Sequence, residues 1–233
     1  MTRTERDDVL RLVTHNLWVG QSNRSARRNL GRLAGDTDRP HVLALQEAHR
    51  FDGTIPGYRR IGVETKLHRD DGDCVLLVRN DLPVIRPRLV QVGDPWWTGP
   101  KHGLRHPPHV FVGATIDHGG HRWDVLSVHR CWTGRGKRNL GAWRAEHTAL
   151  RRFLRERASR NRGQRPVIAL GDWNAGATEL EDLAQDVLKP AQLAMRGIDG
   201  ALVINATAAA DKLDGRYGSD GHHPVAVTVR LPR

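Results

Sequence analysis

Five short runs in this 233-residue chain each join an apolar segment to polar or ionisable side chains in a single step: LVTHN, VLALQE, VLSVHR, VIALGDWN and GSDGHHPVAV. An apolar run of about four to eight residues is the length of a strand buried on both faces, and too short for a core helix. The strand of such a run crosses the core, and the acid, amide or imidazole next to it falls on the rim. Several rims at one edge of a sheet build a site whose members are far apart in sequence. A chain patterned this way is therefore constrained to a layered α/β or α+β sandwich with its chemistry at the strand tips.

The remaining segments fit that frame. Residues 9–14 (VLRLVT) read as a strand leading to His15 and Asn16. Residues 22–34 read as a helix with Ser22 or Ser25 as N-cap, Leu30 and Leu33 inward and Gly35 as terminator. Pro40 opens the run HVLALQE, and Cys74–Arg79, Val84–Val92, His109–Ile116 and Trp123–His129 are further strands. Gly93 to Pro108 reads as a loop. Residues 137–160 carry the clearest helical pattern: Leu140, Trp143, His147, Leu150 and Leu154 form the stripe, with Arg144, Arg151, Arg155 and Arg157 off it. Thr178 and Glu181 predict a capping box for a helix through Leu188, and Ile198–Ile204 and Pro224–Leu231 are the last strands. No repeat or linker interrupts the chain, which reads as one domain over residues 1–233.

Charge narrows the partners. Thirty-seven basic residues, thirty-two of them arginine, against 26 acidic ones leave a net charge of +11. Arginine is the side chain suited to bidentate phosphate contacts, and a charge of this size favours polyanions, although GC-rich coding also produces an arginine bias. Two cysteines, Cys74 and Cys131, exclude a disulfide framework and a four-cysteine zinc site. No apolar run approaches the roughly 20 residues of a membrane span. The opening MTRTERDDVLRL lacks a signal-peptide core, so a cytoplasmic location is expected. The expected partner is nucleic acid, DNA foremost, with no membrane and no obligate protein partner.

Carboxylates, amides and histidines gathered at strand tips are what a metal-assisted hydrolase needs: oxygen donors for a hard cation and imidazoles for proton transfer. In their order, the five segments resemble the endonuclease/exonuclease/phosphatase superfamily, which includes type I deoxyribonuclease, exonuclease-III-type abasic-site endonucleases, sphingomyelinases and inositol polyphosphate phosphatases. The resemblance runs from Asn16 to Pro224. It implies a four-layer α/β/β/α sandwich of two mixed sheets, dependence on Mg2+ with Mn2+ as a substitute, and hydrolysis of phosphodiesters or phosphomonoesters.

Residue by residue, the resemblance implies that Glu47 holds the metal and Asn16 helps to position it. An ionised Glu47 directly after four apolar residues and a glutamine is costly to desolvate unless a cation or arginine pairs with it. Gln46 and Trp173 read as structural. His129 matches a histidine that contacts the phosphate or leaving oxygen. Asp172 and Asn174 match the pair that handles the attacking water and the phosphoryl group, with Gly171 permitting the tight turn. Asp199 matches an aspartate that the family follows with tyrosine, where this chain has Gly200. The family's closing S-D-H-x-P-V is altered here to Ser219-Asp220-Gly221-His222-His223-Pro224-Val225. Counting back from the proline makes His222 the catalytic histidine and Gly221 an insertion, with His223 as the other choice. Asp220 is then either the partner of His222 or a further metal ligand, and the general base is Asp172 or His222.

Trp97, Arg105 and Arg130 are expected to meet substrate, aromatics by stacking on bases and cations by pairing with phosphates. His102, His106 and His109 have zinc-like spacing, but Pro107 and Pro108 prevent a regular helix and no glutamate follows His102. The leading expectation is a metal-dependent nuclease acting on DNA, with RNA as an alternative substrate. The other readings are a phosphatase or phosphodiesterase of a small or lipid-linked ester, and a catalytically impaired nucleic-acid-binding module.

Overall fold

The computed structural model describes residues 8–17, 22–36, 39–48, 51, 53–62, 74–92, 96–98, 104–106, 109–131, 140–160, 164–187, 191–213 and 222–232, with backbone alone at 91–92, 96–98, 104–106 and 186–187. Two six-stranded sheets lie face to face. The first contains β1 (Val9–Asn16), β2 (Val42–Gln46), β3 (Tyr58–Ile61), β4 (Val75–Arg79), β13 (Thr207–Lys212) and β14 (Val225–Arg230), in the order β13-β14-β1-β2-β4-β3. The second contains β5 (Val84–Val92), β8 (His109–His118), β9 (His121–His129), β10 (Val167–Asp172), β11 (Ala191–Arg196) and β12 (Asp199–Ile204), in the order β11-β12-β10-β9-β8-β5. Both sheets are mixed: β1–β2 and β9–β10 are parallel pairs in otherwise antiparallel neighbourhoods.

Alternation along the strands sorts the core. Leu10 and Leu12 of β1 join Val225, Val227 and Val229 of β14 in a cluster that continues into β8, β9, β10 and β12 of the other sheet. The intervening Val13 turns to the outer face, with Leu43, Leu45, Val75 and Leu77, under helix α1 (Asn23–Asp36). Helices α2 (Leu140–Ala158) and α3 (Ala177–Val187) cover the second sheet through Leu150, Leu154, Leu180 and Leu183. The architecture is the expected four-layer α/β/β/α sandwich. Among the described residues no helix is long and apolar enough to cross a membrane.

Several local expectations need correcting. Helix α1 is capped by Ser22, whose hydroxyl accepts from the Ser25 amide at 3.3 Å, but it runs through Gly35 to Asp36 rather than stopping there. Trp96–Thr98 (β6) and Leu104–His106 (β7) form a short antiparallel hairpin inside the stretch expected to be a loop. The buried row of α2 is Ala142, Glu146, Leu150, Leu154, Arg157 and Ala158, so the helix is rotated from the Leu140–Trp143–His147 stripe. Two charged residues are therefore buried: each has an ionic partner on the sheet below. At α3 the capping contact is made by Glu179, whose carboxylate accepts from the Gly176 amide at 2.8 Å, two residues ahead of the Thr178–Glu181 register. Strands β3, β11 and β13 have no counterpart in the sequence reading.

A polar thread crosses the otherwise apolar space between the sheets. Thr14 Oγ1 donates to Gln46 Oε1 at 3.1 Å, and Gln46 Nε2 donates to Ser127 Oγ at 3.0 Å. Gln46 is thus structural, as expected, and it registers β2 against β9 near the end of both strands. Trp173 is buried with its indole N–H donating to the Gly200 carbonyl at 3.2 Å.

Candidate active site

The registers bring the strand tips together. Asn16 lies beside Gln46 across the parallel β1–β2 pair, which puts Glu47 one residue beyond the same edge. In the second sheet Asp172 lies beside His129 across β9–β10 and beside Asp199 across β10–β12. Two parallel pairs, one in each sheet, therefore end at one level and face each other. His222 arrives just before β14, the antiparallel neighbour of β1.

The side chains make one hydrogen-bonded cluster. Asn16 Nδ2 donates to Glu47 Oε1 at 3.1 Å and to Asp172 Oδ2 at 3.0 Å, so a single amide ties the first sheet to the second. His222 Nδ1 stands 3.4 Å from Asp199 Oδ2 and 3.7 Å from Asp172 Oδ2. His129 Nε2 is 3.9 Å from the same Asp172 oxygen. The Asn174 amide N–H donates to Asp172 Oδ1 at 2.9 Å, and its side-chain Nδ2 donates to the Arg130 carbonyl at 2.7 Å. Asp172, Asp199 and His222 each offer a ligand atom within 4.8 Å of the others, a group that could hold a metal ion.

Backbone geometry at the site is specialised. Glu47 and Asn174 have positive φ, 50° and 47°, a conformation that costs a non-glycine residue about 1 kcal/mol or more. At Gly171 a Cβ would lie 1.8 Å from the Val128 carbonyl oxygen, so only glycine lets β10 approach β9 immediately before Asp172. Gly200, standing where the family has tyrosine, lies opposite Gly171, and a Cβ there would meet the Ala194 carbonyl at 2.4 Å.

The electrostatics centre on the histidine–aspartate pair. Asp199 accepting from Nδ1 raises the His222 pKa above its ordinary value, outweighing its partial burial. Burial raises the Asp199 carboxyl in turn, against the pull of the same hydrogen bond. Both shifts favour a proton held within the pair. Among the described residues the carboxylate nearest His222 is Asp199, twenty-three residues away in sequence, with Asp172 a little further off.

Asp220 lies outside the described residues. Trp97 and Arg105 are register partners in the β6–β7 hairpin, and their side chains also lie outside the description. Arg130 is fully buried instead of facing the rim: its guanidinium sits 4.0 Å over the Trp143 ring and donates from Nη2 to the Trp143 carbonyl at 3.0 Å. Burial pulls its pKa down to about 10. Its contribution near the site is the backbone carbonyl that holds Asn174.

Two residues behind the cluster escaped the sequence reading as a pair. The carboxylate of Glu146, fully buried in α2, meets His109 Nδ1 at 2.7 Å and accepts from the Cys131 amide at 2.9 Å. The His109 ring stacks on that of His129, centroids 5.3 Å apart. The signal was the four-residue spacing of Ala142, Glu146, Leu150, Leu154 and Ala158, which sets an acid in a buried row.

This fold and this convergence of strand tips define a class of phosphoester hydrolases. Residues 13–184 match the model of the endonuclease/exonuclease/phosphatase family, and the chain belongs to that family. Its fold is similar to that of an endonuclease/exonuclease/phosphatase protein from Bacteroides vulgatus, at 16% identity and TM-score 0.68, covering 96% of this chain and 99% of that one. Truncated TDP2 from Caenorhabditis elegans is similar at 12% identity and TM-score 0.67, covering 96% and 98%. The human nocturnin catalytic domain is similar at 15% identity and TM-score 0.60, covering 97% and 95%. No curated protein matches the chain significantly.

Proposed function

We propose that residues 1–233 form a single catalytic domain that hydrolyses phosphodiester bonds in nucleic acid, DNA foremost, with the aid of Mg2+ or Mn2+. One observation carries this reading: Asn16, Glu47, Asp172, Asp199 and His222, drawn from the ends of strands in both sheets, meet in a single cluster. The net charge of +11 favours a polyanionic substrate over a lipid or a small ester.

The donor set suits a hard divalent cation, since carboxylate, amide and imidazole groups converge there with no thiolate among them. Glu47, with Asn16 beside it, would hold the ion, and Asp220 is a further ligand read from the sequence. A bound divalent cation neutralises charge building on the phosphoryl oxygens. The remaining work belongs to the side chains. Asp199 fixes His222 through Nδ1, so His222 exchanges protons at Nε2 with the attacking water. Asp172 orients that water, while His129 and Asn174 donate to the phosphoryl oxygens.

The test incubates purified protein with plasmid, linear DNA, RNA and a generic phosphomonoester, each with Mg2+ or with EDTA, beside Asp172→Ala. The expected result is Mg2+-dependent cleavage of DNA that falls by on the order of 10²–10⁴ in the variant. Preferential turnover of the phosphomonoester would overturn the choice of substrate. Undiminished cleavage by Asp172→Ala would overturn the site.

A further inference from the structure

We infer that the chain carries a second anion site, an arginine-lined pocket at the opposite end of the second sheet that takes a terminal phosphate or pyrophosphate group. This inference does not rest on the hydrolase reading. The pocket is a cavity of about 170 Å³ whose lining includes Arg86, Arg88, Arg122, Arg160, Arg165 and Thr115. Arg122 is seven residues before His129 in β9, so the pocket lies about 23 Å along that strand from the catalytic cluster. A neighbouring cavity of about 280 Å³ shares Arg122 and Arg165 and adds His121 and Gln164, giving room for the rest of a larger ligand.

Among the described residues the charge at this pocket is not balanced from within, and its counter-ion there is Asp124, buried at 4% exposure. Arg157 Nη2 and Arg88 Nη1 lie 3.2 Å and 3.4 Å from its Oδ1, which also accepts from the Thr115 hydroxyl, and Arg165 Nη1 lies 3.6 Å from its Oδ2. One carboxylate thus serves three guanidiniums. Arg86, Arg122 and Arg160 have no carboxylate within ion-pair distance among the described residues, and Asp117, which pairs with Arg122 in the strand register, makes no ion pair with it.

The cost of the crowding is visible. Burial lowers the pKa of Arg88, and Arg160 and Arg86 push it further down. Arg157 is held to about 10 by burial and by repulsion from Arg88, Arg160 and Arg165, and its Nε is buried without a hydrogen-bond partner. A phosphate dianion supplies the missing charge and several acceptor oxygens in the fork geometry guanidinium favours. A concave pocket suits a terminal group better than the continuous backbone of a duplex.

The experiment is calorimetric titration of the full chain with inorganic pyrophosphate in about 0.15 M KCl with EDTA, which silences metal-assisted binding at the catalytic cluster. It is repeated with Arg86→Gln/Arg160→Gln, a pair that leaves the three partners of Asp124 in place and so preserves the fold, checked by thermal melting. Saturable binding of about one equivalent is expected, weakened tenfold or more in the variant and unchanged in Asp172→Asn. Competition by a 5′-phosphorylated oligonucleotide, but not by its 5′-hydroxyl counterpart, identifies the group as the end of a nucleic acid. Binding of pyrophosphate without such competition identifies a free oligophosphate. Absence of saturable binding, or equal affinity in the double variant, would overturn the site.

Discussion

His41 shows how a single residue ties stability to pH. It is buried between β1 and β4, its Nδ1 accepts from the Arg11 amide at 2.9 Å, and its ring lies 4.3 Å from that of His118. Burial, reinforced by His118, Arg79 and Arg11, lowers its pKa to about 3. The folded state therefore binds this proton less readily than the unfolded chain, so the stabilisation is complete above about pH 6.5 and is lost as pH falls towards 3. His41→Gln is expected to remove up to about 1.4 kcal/mol per pH unit of acid sensitivity in that window. Urea midpoints of the two proteins should converge between pH 7 and pH 4.5, and parallel curves would disprove the assignment. Glu146 acts on the site through His109 and the Cys131 amide. Glu146→Ala should cost about 3 kcal/mol by stranding buried partners. Glu146→Gln should keep the melting temperature nearer the parent yet lower kcat roughly tenfold or more and displace the pH–rate profile, since His129 loses its support. Loss of activity merely in step with the unfolded fraction would make Glu146 structural only. The tips Asn16, Glu47, Asp172 and His222 were legible because each adjoins an apolar run. Asp199 as the partner of His222, and Glu146 as the partner of His109, were harder to read, because those pairings are made across elements and leave no local pattern.

Elements rich in Val, Ile and Leu were the legible ones, the edge strand β5 among them. β2 and β10 are buried on both faces, and their runs stand out. β3 (YRRI), β11 (AQLAMR) and β13 (TAAADK) are partly exposed sheet edges with no run of Val or Ile, so nothing in their composition separates them from loops. The N-terminus of α3 misled for a related reason: Thr178 and Glu181 have capping-box spacing, but Gly176 precedes them and Glu179 reaches its amide first. Gly171 is where an element and the site depend on each other most directly. Gly171→Ala would drive a methyl into the Val128 carbonyl, forcing β10 from β9. The expected outcome is a loss of about 3 kcal/mol in urea unfolding with Mg2+-dependent cleavage abolished. A well-folded, active Ala variant would show that the two strands can separate without disturbing Asp172.

At the scale of the whole molecule, the excess of arginine gives the proposed polynucleotide substrate a direct test, because cations that pair with phosphates release counterions. Affinity for a labelled oligonucleotide, measured by anisotropy in EDTA, should fall by on the order of tenfold or more between 50 and 200 mM salt. A flat response would remove the electrostatic basis for a polynucleotide substrate. The two-sheet construction bears on how the enzyme fails. Asn16 on one sheet donates to Asp172 on the other, and Gln46 reaches Ser127 by the same route. Slippage of the sandwich halves, with every ladder intact, would already pull Glu47 from Asp172. Inactivation is thus a gauge of the seam between the halves and should precede the melting of secondary structure.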